Sequence, residues 1–331
     1  MMQNQQVNTP LRKSQPLISF IIAYYNLPAQ MLCECIDSIL ALSLQADERE
    51  IIVVDDGSKT RCTDELTRYE DDITYIRQRN MGLSEARNSG IQMATGRYLQ
   101  FVDADDMLIK DAYDYCISIA RSEQPEMILF DFTKTDIQPT PLQHSAIQTG
   151  PHYMRHNNIH GTAWGYLFDR SILGELRFTP GIFHEDEEFT PLLMLRAETL
   201  CSTSAQAYFY RQRDDSIVAN TNIRHSIRKL SDLKGVISRL NYVADHRPVG
   251  DRTALQRRVA QLTMDYLYQI IILTHSRHYL ERKIADLRKE GLFPLPNQNY
   301  TNKYSWFRRL SATSVGRSAL MRLIPLISKE R

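Results

Sequence analysis

The chain has 331 residues, and its 40 lysines and arginines nearly balance its 39 aspartates and glutamates. This length allows a full hydrophobic core and suggests one large domain, or one domain with an appendage. The balanced charge excludes the overall basic character that nucleic-acid-binding proteins show.

The sequence also predicts a compartment. Residues 1–16 are polar, lack the apolar stretch of a secretion signal, and are expected to form a disordered tail. No apolar run approaches the roughly 20 residues that span a bilayer. The five cysteines show no C-x-x-C spacing, and most lie among apolar neighbours, as core thiols of a reducing compartment do. We therefore expect a soluble, cytoplasmic protein.

Short apolar segments alternate with helical patterns through the first 130 residues. Helices are expected after Pro28, from about Thr63, over residues 85–94 with Ser84 as a cap, and over residues 110–120. The expected strands, apolar at nearly every position, are 17–23, 51–54, 73–76, 98–102 and 127–130. This alternation predicts an α/β fold with a mostly parallel sheet flanked by helices.

The second half of the chain is less regular. Residues 133–158 lose periodicity and contain two prolines, which predicts an irregular excursion or hairpin. Order returns at 164–168 and at 177–178, and then with a helix that begins at 184–189 and continues through Leu195. A strand-like segment follows at 207–210. Beyond Asn222, apolar stripes predict helices that pack on each other. The predicted divisions are the tail, a domain over 17–220 with halves 17–132 and 133–220, and a C-terminal helical region over 221–331.

Three predicted strands end in polar residues at the same sheet edge: Tyr-Tyr-Asn at 24–26, Asp-Asp-Gly-Ser at 55–58 and Asp-Ala-Asp-Asp at 103–106. Parallel sheets bind ligands beyond the carboxyl ends of their strands. Unpaired carboxylates are unfavourable at the edge of a core, whereas Mg²⁺ or Mn²⁺ takes oxygen ligands and leaves positions for phosphate. Together the clusters predict a nucleotide-and-metal site. Taken alone, the last one fits a solvated turn that caps the next helix equally well.

Four motifs follow one another along the chain in a specific order. The strand into Tyr-Tyr-Asn is followed by Val-Val-Asp-Asp-Gly-Ser at 53–58, Gly-Leu-Ser-Glu-Ala-Arg-Asn-Ser-Gly at 82–90, and the segment 96–106. With Glu185-Asp186 and Tyr210-Arg211, this order resembles the bacterial surface-polysaccharide type of family 2 glycosyltransferase over about residues 17–220. One departure is Ala23-Tyr24, where many relatives carry Pro-Val or Thr-Ser before the tyrosine.

The resemblance implies a Rossmann-like GT-A fold and an inverting, metal-dependent transferase of the hexosyl or N-acetylhexosaminyl class. The donor would be a nucleotide sugar, with a UDP-sugar favoured, and the metal would be Mn²⁺ or Mg²⁺. The acceptor would be a glycan or a lipid-linked glycan in surface-polysaccharide or lipopolysaccharide assembly.

The resemblance also assigns a nucleotide site. Ala23 would contact the base through its backbone, Tyr25 by stacking, and Asp56 by accepting a hydrogen bond from uracil. An Asx turn is the alternative for Asp56, and an exposed helical cation is the alternative for Arg87. The other residues expected at the nucleotide are Arg87, Asp103 and the late-loop residues Arg211, Arg213 and Ser216.

The metal and catalytic assignments rest on carboxylates. Asp103 and Asp105 would bind the metal, and Asp106 would support the loop or cap a helix. The resemblance makes Asp186 the candidate catalytic base, because Glu-Asp at this place matches the family's catalytic acid pair. The four consecutive acids at 185–188 would also repel one another, and a raised pKa suits proton abstraction. The alternative is that these acids only favour a helix N-terminus. Glu185 and Trp164 would bind the acceptor; a core position is the alternative for Trp164.

Residues 304–331 combine apolar and basic side chains. Such a segment can lie on an anionic membrane surface, which would place the protein at the inner face of the cytoplasmic membrane. Packing against its own domain is the slightly favoured alternative. Two other functions stay open: a sugar-nucleotide nucleotidyltransferase, which should carry a glycine-rich basic loop after the first strand, and a non-catalytic glycan-binding or partner subunit.

Overall fold

The computed structural model describes residues 15–135, 142–213 and 223–328, so most of the predicted tail lies outside the described residues. The strands in these ranges are β1 (Ile18–Tyr24), β2 (Arg49–Asp55), β3 (Ile73–Arg77), β4 (Tyr98–Asp103), β5 (Met107–Leu108), β6 (Met127–Thr133), β7 (Tyr166–Asp169) and β8 (Leu200–Phe209). The first six helices are α1 (Ala29–Leu40), α2 (Thr63–Leu66), α3 (Leu83–Met93), α4 (Lys110–Ser122), α5 (Gly150–His156) and α6 (Glu185–Met194). The C-terminal helices are α7 (Ile223–Asp245), α8 (Val249–Thr274), α9 (Arg277–Lys289), α10 (Asn302–Ser311) and α11 (Ser314–Ser328).

The strands form one mixed sheet in the order β3-β2-β1-β4-β7-β6-β8-β5. The first four positions are parallel, as predicted, and β6 also runs parallel to β8. However, β7 is antiparallel to both of its neighbours, and β5 is antiparallel to β8. The predicted α/β sheet is thus confirmed. Its strands run parallel only in the half formed by β3, β2, β1 and β4, and in the pair of β6 and β8.

Alternate residues of β1 divide the core into two layers. Phe20 and Ile22 pack with α1 and α4 on one face of the sheet. Ile21 packs with α3 and α6 on the other face, where the same hydrophobic cluster continues into α7 and α8. The C-terminal helices therefore extend the core of the sheet domain. This double coverage explains why the strands read as apolar runs.

A close approach of α3 to β1 fixes the position of the helix. A Cβ atom on Gly90 would lie 2.2 Å from Ile21 Cγ2, so only glycine permits this packing distance. The predicted cap of α3 was wrong, because Gly82, with φ of 92°, precedes the helix and Ser84 lies in its first turn. Arg87 follows one turn later and points to the carboxyl edge of the sheet, as its contacts below indicate.

Three further predictions differ from the structure. The helix expected from Thr63 is the single turn α2, and α5 forms inside the segment that was predicted to be irregular. All five cysteines are buried and free, which confirms the expectation of core thiols. Within the described ranges, no helix has both the length and the apolar character that a membrane span requires.

Candidate active site

The carboxyl ends of β1, β2 and β4 meet at one edge of the sheet. Register pairs Ala23 of β1 with Asp103 of β4, while Tyr24 pairs with Asp55 of β2. Tyr25 follows β1 directly and is 46% exposed, as a residue available for stacking must be. The structure therefore brings the predicted residues at positions 23, 25, 56 and 103 to the same edge.

Asp56 has a structural role that the sequence did not predict. Its Oδ1 accepts hydrogen bonds from Gln78 Nε2 (2.8 Å) and Met81 N (2.9 Å), and its Oδ2 accepts one from Gly82 N (2.7 Å). The buried carboxylate thus holds the loop that leads into α3. The Asx-turn interpretation applies instead to Asp55, whose Oδ1 accepts a hydrogen bond from Ser58 N (2.8 Å).

Arg87 joins two of the predicted motifs. This buried guanidinium donates from Nη2 to Asp103 Oδ1 (2.9 Å) and from Nη1 to Glu185 Oε1 (2.8 Å). Burial lowers the pKa of Arg87, but the carboxylates of Asp103, Glu185 and Asp186 outweigh burial and raise it. The alternative interpretation of Arg87 as an exposed cation is wrong, since its side chain is only 5% exposed.

The three aspartates after β4 have different environments. Asp103 keeps 29% of its side chain exposed, and Asp105 Oδ2 is 2.8 Å from Arg213 Nε. Burial and the charge of Asp103 raise the pKa of Asp105, and Arg213 opposes this rise. Asp106 is buried and accepts hydrogen bonds from Tyr208 Oη and from Arg211 N, both at 2.8 Å. Asp106 thus ties this loop to the end of β8, as predicted for a supporting residue.

Tyr208 is a site residue that sequence reasoning missed. Its hydroxyl donates to Asp106 and accepts a hydrogen bond from Asp103 N (3.0 Å), so it holds both ends of the acidic loop. Burial raises the pKa of Tyr208 well above the usual range. The sequence did carry one signal for this role, a tyrosine within an apolar strand. When the ring of such a tyrosine is buried, its hydroxyl needs a hydrogen-bonding partner.

The donor set after β4 fits a hard divalent cation. Asp103 and Asp105 offer oxygen ligands, and the mutual repulsion that raises the pKa of Asp105 is what a cation would relieve. In the part of the chain that the structure describes, no group of three or more His, Cys, Asp and Glu residues could hold a metal by itself. The protein would therefore supply one or two carboxylates, and phosphate and water the remaining ligands, as Mg²⁺ sites commonly require.

The late loop reaches the same edge. Arg211 Nη2 donates to Glu34 Oε2 of α1 at 2.5 Å, and Arg213 pairs with Asp105 as described. These contacts bring two predicted phosphate-binding arginines next to the acidic loop. Ser216, the third predicted residue of this loop, lies outside the described residues.

The four acids that open α6 differ in their partners. The helix follows His184, which adopts a left-handed conformation with φ of 64°. Three of the acids each pair with a separate arginine: Glu185 with Arg87, Glu187 with Arg258, and Glu188 with both Nε (2.6 Å) and Nη2 (2.9 Å) of Arg239. Asp186 has no basic side chain within ion-pair distance among residues 15–135, 142–213 and 223–328.

The environment of Asp186 suits a proton acceptor. Its Oδ1 accepts a hydrogen bond from Glu187 N (2.8 Å), and the residue is partly exposed. Burial, followed by the charges of Glu185 and Glu187, raises the pKa of Asp186 well above its usual range, against the opposing effect of Arg87. A carboxylate with a raised pKa is a stronger base than an ordinary aspartate.

Trp164 is largely buried, as the core alternative expects, and its contact with the acceptor stays a prediction. It is only 7% exposed, and its ring stacks on Tyr208 with 4.3 Å between ring centroids. Phe132 packs against it edge to face at 5.1 Å. Its predicted partner in acceptor binding, Glu185, is also buried and paired with Arg87. Both residues thus contribute to the walls of the site more than to an open surface.

Comparison with known proteins agrees with this geometry. The model of the family described as "Glycosyl transferase family 2" matches residues 19–175. This match covers less than half of the chain, and over these residues the chain is similar to glycosyltransferase family 2. The matched residues include Arg87 and the acidic loop at 103–106, whereas Glu185 and Asp186 lie beyond the match.

Known proteins also resemble the chain in sequence or in fold. The uncharacterized glycosyltransferase EpsJ of Bacillus subtilis (strain 168) is 31% identical over 219 residues, which is 61% of this chain and 63% of EpsJ. The chain thus matches less than two thirds of the length of this relative. TarS 1–349 of S. aureus shares the fold with a TM-score of 0.63 at 16% identity, over 95% of this chain and 91% of TarS, and has also been solved with UDP-GlcNAc. The mannosyltransferase PcManGT of Pyrobaculum calidifontis, solved with GDP-Man and Mn²⁺, has a TM-score of 0.57 at 14% identity, over 96% and 86% of the two chains.

Proposed function

We propose that this protein is an inverting glycosyltransferase that moves a sugar from a nucleotide-sugar donor to a glycan or lipid-linked glycan acceptor. The proposal rests above all on Asp186. Among the four acids of α6 it is the one that the described arginines, lysines and histidines leave without an ion pair, and its pKa is raised. It follows Glu185, whose arginine partner also binds Asp103, so the base and the donor-site acids are joined through one guanidinium.

In the proposed reaction, Asp186 accepts the proton of an acceptor hydroxyl. The hydroxyl oxygen forms a bond to the anomeric carbon of the donor sugar as the bond from that carbon to the diphosphate oxygen breaks. The electron pair of the broken bond leaves with the nucleoside diphosphate, and the single displacement inverts the anomeric centre.

The leaving diphosphate requires positive charge. A divalent cation held by Asp103 and Asp105 would supply Lewis-acid stabilisation of the leaving group when bound. Arg213 pairs with Asp105, and the backbone N–H of Arg211 donates to Asp106 of the same loop. Guanidinium groups bind phosphate oxygens with two parallel hydrogen bonds. Because Arg213 pairs with Asp105, we expect this pair to separate when the diphosphate and the cation bind.

A UDP-sugar remains the donor that we propose, and Mn²⁺ or Mg²⁺ the cation. TarS with UDP-GlcNAc and PcManGT with GDP-Man and Mn²⁺ share the fold and support the nucleotide-sugar class, while they differ in the nucleotide. A thermal-shift panel of UDP, GDP, CMP, TDP and ADP, each with and without Mn²⁺, tests the proposal, since a ligand of the native state raises its stability. We expect a Mn²⁺-dependent shift with UDP that Asp105→Ala abolishes. If no nucleotide shifts the melting temperature, the non-catalytic alternative replaces this proposal.

We further propose that α11 places the enzyme on an anionic membrane, in surface-polysaccharide or lipopolysaccharide assembly. The helix packs Leu320 and Ile324 inward, yet its outer face is also apolar, with Val315 82% exposed and Leu326 65% exposed. An exposed apolar helix face marks an interaction surface. The sequence has no acid between Glu290 and Glu330 but six lysines and arginines, and this charge is complementary to anionic lipids.

A further inference from the structure

We propose that a cavity between β6, β7, β8 and α6 binds the acceptor, that it selects an uncharged, hydroxyl-rich sugar, and that Asp131 determines this specificity. This inference rests on the proposed transferase function. It adds the chemical class of the acceptor to that proposal.

The cavity has the size of a small-molecule site. Its volume is about 460 Å³, within the range of about 300–1,000 Å³ that ligand pockets occupy. Its lining includes the end of β6, the start of β7 and the residues at 202–204, where β6 and β8 are irregularly paired. An irregular pairing opens space between two strands that would otherwise pack closely.

One wall of the cavity is formed by α6, the helix that carries the candidate base. Thr190 and Met194 of α6 line it, and they follow Asp186 by four and eight residues. Residues four apart share one face of a helix, so Asp186 continues this stripe. Thr190 is fixed there by its hydroxyl, which lies 2.9 Å from Tyr166 Oη. An acceptor in the cavity would therefore present its hydroxyl group along this face toward Asp186.

Another wall of the cavity is in contact with the donor site. Trp164 lines the cavity and stacks on Tyr208 with an interplanar angle of 11°. The Tyr208 hydroxyl in turn binds Asp106 and the amide of Asp103. The wall of the cavity is thus continuous with the acidic loop, as a site for the second substrate of a transferase must be.

The charge of the lining favours a neutral ligand. Asp131 is its single acid, and neither lysine nor arginine belongs to the described lining residues. Two histidines do: His144 pairs with Glu123, and His160 lies near enough to Asp131 to interact with its charge. Several polar side chains of the lining are already bonded within the protein, including Ser145, Thr203 and Asn158. By contrast, the exposed carboxylate of Asp131 has no hydrogen bond or ion pair to any described residue. A free carboxylate accepts hydrogen bonds from sugar hydroxyls and repels phosphate or uronate groups.

Tryptophan fluorescence offers a direct binding assay. The chain has two tryptophans, and Trp306 lies on the surface of α10, so Trp306→Phe leaves Trp164 as the single tryptophan. This protein is titrated with neutral methyl glycosides of glucose, galactose and N-acetylglucosamine, and with glycerol 1-phosphate and methyl glucuronide as charged probes. We expect saturable fluorescence changes with at least one neutral glycoside and at least tenfold weaker binding of the charged probes.

Two further variants test whether Asp131 is responsible for glycoside binding. Asp131→Asn in the Trp306→Phe background should weaken glycoside binding at least tenfold, because hydrogen bonds to a charged group are about twice as strong as neutral ones. Asp71→Asn, at an exposed aspartate of the turn before β3, should leave binding unchanged. Absence of saturable glycoside binding, equal affinity in Asp131→Asn, or tighter binding of the charged probes would each overturn the inference.

The same proteins separate this inference from the proposed function. A Mn²⁺-dependent nucleotide shift without glycoside binding would refute the cavity alone. Glycoside binding without any nucleotide shift would refute the donor site and leave the cavity as a sugar-binding site.

Discussion

Replacement of Arg87 by methionine tests the central ion-pair cluster of the site. The guanidinium is nearly buried and lies 2.9 Å from Asp103 and 2.8 Å from Glu185, so methionine would fill its volume but leave both carboxylates without their partner. Removal of one partner from a buried ion pair costs about 3–5 kcal/mol. Since Asp103 keeps 29% of its side chain exposed and water can partly solvate it, we expect a loss near the lower limit, about 3 kcal/mol.

Urea unfolding, followed by circular dichroism, measures this loss. Arg121→Met is the matched control, because Arg121 pairs with Glu48 at 2.8 Å on the surface and should contribute less than about 1 kcal/mol. We expect the midpoint of Arg87→Met to fall clearly below that of Arg121→Met at an unchanged denaturant slope. Equal midpoints for the two variants would refute the view that Arg87 is the charge that holds the two motifs together.

Three further outcomes follow from the described contacts. Because the pKa of folded Asp186 is raised, the pKa that governs the fall of kcat/KM at acidic pH should lie above the value of about 3.9 for a free aspartate. For the same reason, the stability of wild type relative to Asp186→Asn should decrease as pH rises through the folded pKa. A stability difference that does not change with pH would contradict the assignment. Asp56→Ala should lower the free energy of unfolding by about 2 kcal/mol, because the partly buried amides of Met81 and Gly82 lose a charged acceptor. Asp56→Asn keeps one acceptor oxygen and should lose less, and equal stability of all three proteins would exclude the structural role. Val315→Ser combined with Leu326→Ser should reduce sedimentation with anionic vesicles, whereas the equally exposed Val249→Ser should not, and unchanged sedimentation of the double variant would sink the membrane proposal.

Much of the sheet could be predicted because its central strands are covered on both faces. Burial makes β1, β2 and β4 apolar along their whole length, and this pattern is visible without a structure. The polar residues at their carboxyl ends then belong to one edge by topology alone. In contrast, the reversed direction of β7 was not predictable, since an antiparallel strand of four residues has no distinct local pattern.

The partners of the site residues could not be predicted, because they come from distant parts of the chain. The arginines that pair with Glu187 and Glu188 follow them by 71 and 51 residues and lie on α8 and α7. The sequence therefore predicts that the four adjacent acids repel one another. It does not predict the three arginine contacts that neutralise the other acids and leave Asp186 without an ion pair to a described residue. Likewise, the stacking of Trp164 on Tyr208 depends on the pairing of distant strands, and local sequence did not distinguish a core ring from an open one.

Turnover by wild type and by Asp186→Asn tests the proposed function most directly. Release of nucleoside diphosphate is measured with UDP-GlcNAc, UDP-glucose, UDP-galactose and GDP-mannose, each with Mn²⁺ and with the glycosides that bind the cavity. The substitution keeps the size of the side chain and removes its ability to accept a proton, and general-base catalysis contributes about 10²–10⁴-fold in rate. We predict that wild type turns over at least one donor, and that Asp186→Asn is slower by about this factor while it retains the thermal shift with nucleotide. Equal rates for the two proteins would show that Asp186 is not the base, and a wild type that binds nucleotide but turns over no donor would contradict the proposed transferase function.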